Sequence, residues 1–379
     1  MTRILPLLLL AACSRCASAP KGPADPTCVE VTNGNGPAGA VRVRAETVVS
    51  GLTVPWSLTF LPGNRMLVTE RPGRLRLVEN GALVATPVAT VASLVRGESG
   101  LLGLAADPAF DTNRRIYLYL TAEDGSNRVE RWAVAADYRS ATKERDLVTG
   151  IPGAQFHDGG RLRFGPDGML YIGTGDARSP DRSQDADDLA GKILRVNTDG
   201  EAAEGNPVAG KRWFITGIRN TQGFDWLSPT ELAVTDHGPS GDTSRTGHDE
   251  VNVAKAGDNL GWPTLYGCES GAGLVTPRLT WTKAAPPGGA AIYTGDRIPQ
   301  WKGSLLIGVL GATHLHRVAF SADRSKIDSN EVYFDGTLGR LRDVVMGPDG
   351  ELYATTSNCD GRGTCPSESD RIVRIVPDP

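Results

Sequence analysis

The 379-residue chain carries a net charge of −4, with 40 Lys and Arg against 44 Asp and Glu, so no basic field argues for nucleic acid. Hydrophobic residues make up 40%, enough for a sizeable core, while 46 Gly and 25 Pro favour many turns over long helices. Beyond the N-terminus no apolar run approaches the roughly 18–20 residues that a membrane helix needs, which argues against a polytopic membrane protein, a coiled coil and a disordered chain.

Residues 1–12 read as a targeting segment, with Arg3 as the positive end and a short apolar run from Ile4 to Leu10. Leu10-Ala11-Ala12-Cys13 resembles a bacterial lipobox, so cleavage before Cys13 and lipidation of its thiol are expected. A plain signal peptide is the alternative. Either way the chain is expected to be exported; with the lipid it would be a periplasmic or outer-membrane lipoprotein that meets the membrane only through its anchor. Residues 13–43, rich in Pro and Gly, are expected to form a flexible tether. Six cysteines suit an oxidising compartment, and Cys359 and Cys365 flank a short polar loop that a disulfide could close. With Cys13 acylated, Cys16, Cys28 and Cys268 remain; their number is odd and their pairing stays open. The spacings do not resemble a zinc site.

From residue 44 onward one phrase recurs, an apolar strand, a Pro-Asp-Gly-type turn and a second apolar strand. It is clearest around Gly165-Pro166-Asp167-Gly168 and Gly347-Pro348-Asp349-Gly350. Looser copies span residues 58–68, 104–119 and 224–234, and a sixth apolar hairpin centres on residues 304–307. Each copy reads as a hairpin. Dividing residues 44–379 by six gives about 56 per unit, long for one four-stranded blade with its connecting loop but a period that indicates a propeller. The expected fold is therefore all-β, a six-bladed β-propeller with four-stranded antiparallel blades. An array of β-sandwiches explains the recurrent hairpin less well.

Four segments are polar, Gly-rich and unlike blade filler. They are Gly97-Glu98-Ser99-Gly100, Phe156-His157-Asp158-Gly159-Gly160, Gly217-Ile218-Arg219-Asn220-Thr221-Gln222-Gly223, and the stretch from Asp236-His237-Gly238-Pro239 through Gly247-His248-Asp249-Glu250-Val251-Asn252 to Asp258-Asn259-Leu260-Gly261-Trp262-Pro263. In this order and spacing they resemble the soluble pyrroloquinoline quinone (PQQ)-dependent sugar dehydrogenases of the glucose/sorbosone dehydrogenase type, with the broad-specificity aldose branch nearest. The resemblance covers about residues 44–376, and its family fold is the six-bladed propeller that the repeat already implies.

The resemblance implies PQQ and two calcium ions, one at the cofactor and one structural, with an aldose as substrate and an external quinone or cytochrome as electron acceptor. His157 is the expected general base for the O1 proton, because imidazole accepts a proton near neutral pH. Asp176 is expected to hold its tautomer, and Arg219 to stabilise charge on the quinone. Glu98, Asn220 and Gln222 belong to the expected cofactor site. So do Arg340 and Arg342, two apart in an apparent strand and suited to carboxylates. The carbonyls of Gly238 and Pro239 match ligands of the cofactor calcium, and Glu250 with the Leu260 carbonyl matches the structural ion. Glu98 stands where glucose-specific enzymes carry Gln. Gly311 aligns with a cofactor-binding Lys, so one cation is expected to be missing. His314 and His316 could face one side of a strand as ligands, although such pairs are more often surface decoration. A non-catalytic carbohydrate- or protein-binding propeller and a sorbosone-type dehydrogenase are the competing functions. A binder has no reason to keep His157, Asp176 and Arg219 together.

Overall fold

The computed structural model describes residues 22–241 and 243–379. The expected targeting segment 1–12, Cys13 with its expected lipidation, and Cys16 lie outside the described residues. Among the described residues, no helix is long and apolar enough to cross a membrane.

Why the repeated phrase folds as a hairpin is visible at its two clearest copies. Asp167 accepts the Met169 N–H at 3.0 Å through Oδ1 and the Tyr171 hydroxyl at 3.0 Å through Oδ2. Asp349 does the same with the Glu351 N–H at 3.2 Å and the Tyr353 hydroxyl at 2.8 Å. The aspartate thus caps the turn and ties it to the returning strand. The glycine that follows it has φ +75° in one copy and +77° in the other, a left-handed conformation that a β-carbon disfavours.

These hairpins are the two innermost strands of successive sheets. Six antiparallel sheets form the ring, with inner strands at Pro55–Leu61, Leu101–Ala106, Leu162–Phe164, Gly223–Ser228, Pro287–Ile292 and Leu341–Met346. Large apolar clusters fill the wedges between neighbouring blades. One joins Tyr117, Tyr119 and Val148 of the second blade to Leu170, Ile172 and Leu194 of the third. Another joins Leu306 and Leu315 of the fifth to Val344, Leu352 and Ile375 of the sixth. The ring closes where Val43–Val49 pairs antiparallel with Ile372–Pro377, so the sixth blade takes its outer strand from the N-terminal side.

The expected tether over 13–43 needs correction in its described part. Val29–Val31 adds a parallel strand to the outer edge of the fourth blade, against Leu279–Trp281. Cys28 is joined to Cys268, and Gly22 bridges to Ser270. Pro and Gly content signals irregular backbone, but backbone hydrogen bonds and a crosslink hold this segment down. The second disulfide joins Cys359 to Cys365, as the spacing allowed. His314 and His316 also depart from expectation. Both are fully buried on one strand, with rings in contact, rather than decorating the surface.

Candidate active site

The inter-strand loops of one rim of the ring converge on a cavity of about 740 Å³. Five arginines line it, Arg178, Arg219, Arg340, Arg342 and Arg362, with Glu98, His157, Gln222 and His237. Such a concentration of fixed positive charge suits a small polyanion.

His157 sits on the loop from the second to the third blade with φ +66°, an uncommon conformation for a residue with a side chain. The two glycines after it explain why the loop can fold so tightly. A β-carbon on Gly159 would lie 2.5 Å from the Thr174 Cα, and one on Gly160 would press on Leu102 and Trp56. The ring Nδ1 lies 2.7 Å from Asp176 Oδ1. Asp176 is fully buried; its Oδ1 also accepts the Arg178 N–H at 2.7 Å, and its Oδ2 accepts Trp262 Nε1–H at 2.9 Å. A carboxylate so supplied with donors stays an acceptor, so Nδ1 carries the proton and Nε2 offers its lone pair. The expected His–Asp pair is therefore assembled, with Trp262 as a third member.

Arg219 and Asn220 are placed by their own backbone. Both N–H groups donate to Asp236, at 2.8 and 2.7 Å. Burial pushes the Asp236 carboxyl up to about 7, against the pull of those two bonds and of Arg219. The Asn220 amide accepts the Gly159 N–H at 2.9 Å and donates toward Glu98 Oε2 at 3.3 Å. His237 gives its Nε2–H to the Pro287 carbonyl at 2.7 Å, and burial lowers its pKa to about 4, so the ring is neutral near pH 7.

Glu98 knits the wall together. Its Oε2 accepts the His157 N–H at 3.1 Å and its Oε1 accepts from Arg362 at 3.0 Å. Burial opposes its ionisation but is outweighed by His237, Arg362 and the His157 N–H, which bring it down to about 2. Arg340 and Arg342 both reach Asp360 Oδ2, and Arg342 also donates to the Gln222 side chain. Arg342 Nε is buried without a hydrogen-bond partner in the protein. A cation with an unused donor on this wall fits an anionic ligand.

Of the expected metal positions, Gly238 and Pro239 lie between two residues of the cavity wall, His237 and Ser240. The Gly238 N–H is tied to Asp249 at 3.0 Å. Glu250 is on the third strand of the fourth blade, where Asn252 donates to its Oε2 at 3.2 Å. Burial drives the Glu250 carboxyl well above its usual range, with Asp236 and Asp249 adding repulsion. The buried Asn252 Oδ1 beside it has no hydrogen-bond partner in the protein. Oxygen donors of this kind suit a hard cation. Leu260 packs in the core of the third and fourth blades, its N–H bonded to the Thr216 carbonyl at 2.9 Å. Among the described residues, no group of three or more His, Cys, Asp or Glu is arranged to hold a metal.

Gly311 does not line this cavity. It borders a neighbouring one of about 920 Å³, and a β-carbon there would lie 2.8 Å from Pro286 Cδ. Sequence reasoning did not single out Arg178, Asp360 or Arg362. Asp360 and Arg362 sit on the short Cys359–Cys365 loop, and their one signal was that crosslink.

Fold and cavity together define a six-bladed propeller with a cationic pocket at one rim, and comparison with known proteins gives its class, an oxidoreductase. A family model described as glucose/sorbosone dehydrogenase matches residues 52–367, and the chain belongs to that family. Aldose sugar dehydrogenase YliI of Escherichia coli (strain K12) is 32% identical, covering 86% of this chain and 92% of that protein. Quinoprotein glucose dehydrogenase B of Acinetobacter calcoaceticus is 24% identical, covering 88% of this chain and 89% of its own. The PQQ-bound form of aldose sugar dehydrogenase from Streptomyces coelicolor has a similar structure, with a TM-score of 0.80 at 33% identity, covering 90% of this chain and all of that one.

Proposed function

We propose that the protein oxidises aldose sugars at C1 to lactones, using PQQ with calcium. The observation that carries this is the His157–Asp176–Trp262 chain opening onto a cavity walled by five arginines. When bound, the cofactor supplies the hydride acceptor. Arg219, Asn220, Gln222, Arg340 and Arg342 are the residues that would hold it, with Glu98 in the wall. Its three carboxylates match the cationic lining, and the unpartnered Arg342 Nε gives one of them a donor.

His157 does the proton work. With Nδ1–H committed to Asp176, Nε2 accepts the proton of the sugar O1 hydroxyl as the C1–H bond gives up its hydride. Asp176 then stabilises the imidazolium that forms. The buried Asp176 carboxylate is itself fixed by Trp262, so the ring is oriented before substrate arrives. Arg219 places positive charge where negative charge develops. The carbonyls of Gly238 and Pro239 would hold the cofactor calcium, and Glu250 with the Leu260 carbonyl the structural one. We place the protein outside the cytoplasm, on the support of its two disulfides, with an N-terminal lipid anchor and an external electron acceptor.

The test is reconstitution of the apo-protein with PQQ and calcium, followed by dye reduction across a panel of aldoses. PQQ-dependent reduction with at least one aldose is expected; none with any aldose refutes the proposal.

A further inference from the structure

The loop closed by Cys359 and Cys365 brings two opposite charges to the cavity wall. Asp360 turns inward, where its Oδ2 accepts from Arg340 Nε at 2.9 Å and Nη2 at 2.8 Å, and from Arg342 at 3.4 Å. Arg362 turns across the opening. Its Nη1 donates to Glu98 Oε1 at 3.0 Å, and its guanidinium lies 5.3 Å from the Phe156 ring centre.

The loop backbone is firmly held. Asp370 accepts the N–H groups of Asn358 at 2.6 Å and Cys359 at 3.2 Å, and Asp360 Oδ1 accepts the Arg362 N–H at 2.9 Å. Gly363 lies so close to Arg340 that a β-carbon would come within 2.6 Å of its Cδ. The Arg362 side chain, in contrast, is 49% exposed. It lines both the main cavity and the neighbouring one.

The charges around it are unequally committed. Asp360 is occupied by Arg340 and Arg342, so it does not compete for Arg362. Glu98 keeps the His157 N–H and the Asn220 amide when Arg362 leaves it. A carboxylate arriving in the cavity therefore finds in Arg362 a half-exposed cation that can reach it by giving up its bond to Glu98 Oε1, while Glu98 Oε2 keeps its two donors.

We propose that Arg362 is a cofactor-contacting residue, which pairs with a carboxylate of the bound anion and makes the disulfide loop part of the cofactor site. This rests on the PQQ reading above. The loop's crosslink then has a role in binding, because it fixes where the Arg362 Cα sits relative to the cavity.

The experiment is titration of calcium-loaded apo-protein with PQQ, followed by quenching of protein fluorescence at several salt concentrations, so that no turnover is needed. Arg362→Ala should weaken PQQ binding roughly 5- to 30-fold at low salt, the scale of one charge-assisted contact discounted for exposure. The gap should narrow as salt rises. Arg362→Lys should recover part of the loss. Replacing both loop cysteines (Cys359→Ser with Cys365→Ser) should weaken binding in the parent protein and change little in the Arg362→Ala background. Equal affinity of Arg362→Ala and parent at low salt overturns the assignment. Equal weakening by the cysteine pair in both backgrounds overturns the role of the crosslink. A parent protein that binds no PQQ at all fails the cofactor reading itself, and this inference falls with it.

Discussion

Asp176→Asn is the sharpest probe of the proposed chemistry, because it preserves shape and turns one acceptor into a donor. The carboxylate accepts three hydrogen bonds, from His157 Nδ1–H and the Arg178 N–H on Oδ1 and from Trp262 Nε1–H on Oδ2. An amide has two placements there. With its NH₂ at the Oδ2 position, it faces the Trp262 donor and leaves two buried donors opposed. With its NH₂ at the Oδ1 position, it faces the Arg178 N–H and forces His157 to present a bare Nδ1. The ring then carries its proton on Nε2 and cannot accept one from the sugar. The first placement keeps the tautomer and loses the carboxylate charge that steadies the imidazolium; the second loses the base outright. Each buried donor left unsatisfied costs about 1–3 kcal/mol, so a stability loss of that order is expected from either. The kcat should fall roughly 100- to 10,000-fold, the range for a disabled general base. Steady-state dye reduction with saturating PQQ gives kcat, nitrogen chemical shifts of His157 report the tautomer, and urea unfolding gives the stability. A variant with kcat within about threefold of the parent would refute the assigned roles of His157 and Asp176 together.

His157→Ala should lower kcat by roughly two to four orders of magnitude while PQQ affinity, read by fluorescence titration, changes far less; near-parental turnover would remove the base. Exhaustive chelation of calcium should abolish dye reduction and also lower Tm in calorimetry, because in the proposed assignment one ion serves the cofactor and the other ties loops. If neither property moves, the calcium assignment is wrong. Replacing Cys28 and Cys268 by Ser should cost about 2–4 kcal/mol in unfolding experiments, the usual scale for a disulfide that closes a long loop, with kcat at 25 °C retained. Burial lowers the pKa values of His314 and His316 below the ordinary 6.5, with His314 adding repulsion at His316. The unfolded chain therefore binds more protons than the folded one below about pH 6.5, and stability contributed by the neutral pair is full above that value and lost as pH falls. His316→Phe keeps a ring against Trp281 and should lose stability less steeply between pH 7 and 5; parallel losses in parent and variant would dismiss the pair as the source.

How much was legible before the structure depends on how local the signal was. The turn chemistry of Asp167 and Asp349 is written in consecutive residues, and it located the inner hairpins and with them the ring. The His157–Asp176 contact spans 19 residues and became legible only because its surrounding motifs resemble a known series. The pairing of Cys28 with Cys268 crosses 240 residues, and an odd set of cysteines left no way to choose it. Val29–Val31 was hidden by its Pro- and Gly-rich surroundings, since three residues carry too little periodicity to mark a strand. His314 and His316 looked like surface residues because spacing gives a face of a strand but not which face is inward. Asp360 and Arg362 are ordinary charges in a polar loop, and only their reach toward Arg340 and Glu98 separates them from decoration.

The closure of the ring by Val43–Val49 against Ile372–Pro377 sets an order of events during synthesis. The first of these strands emerges from the ribosome more than 300 residues ahead of its partner. Until the last strand is made, the sixth blade has no place for it, and the nascent chain carries an unpaired β-edge that other strands can capture. Completion of the circle is thus the longest-range strand pairing of the fold, and the finished ring should open as a whole rather than blade by blade. A circular permutant that starts between blades, so that both partners of the sixth blade are made in succession, would dispense with the waiting edge while leaving the cavity's walls in place.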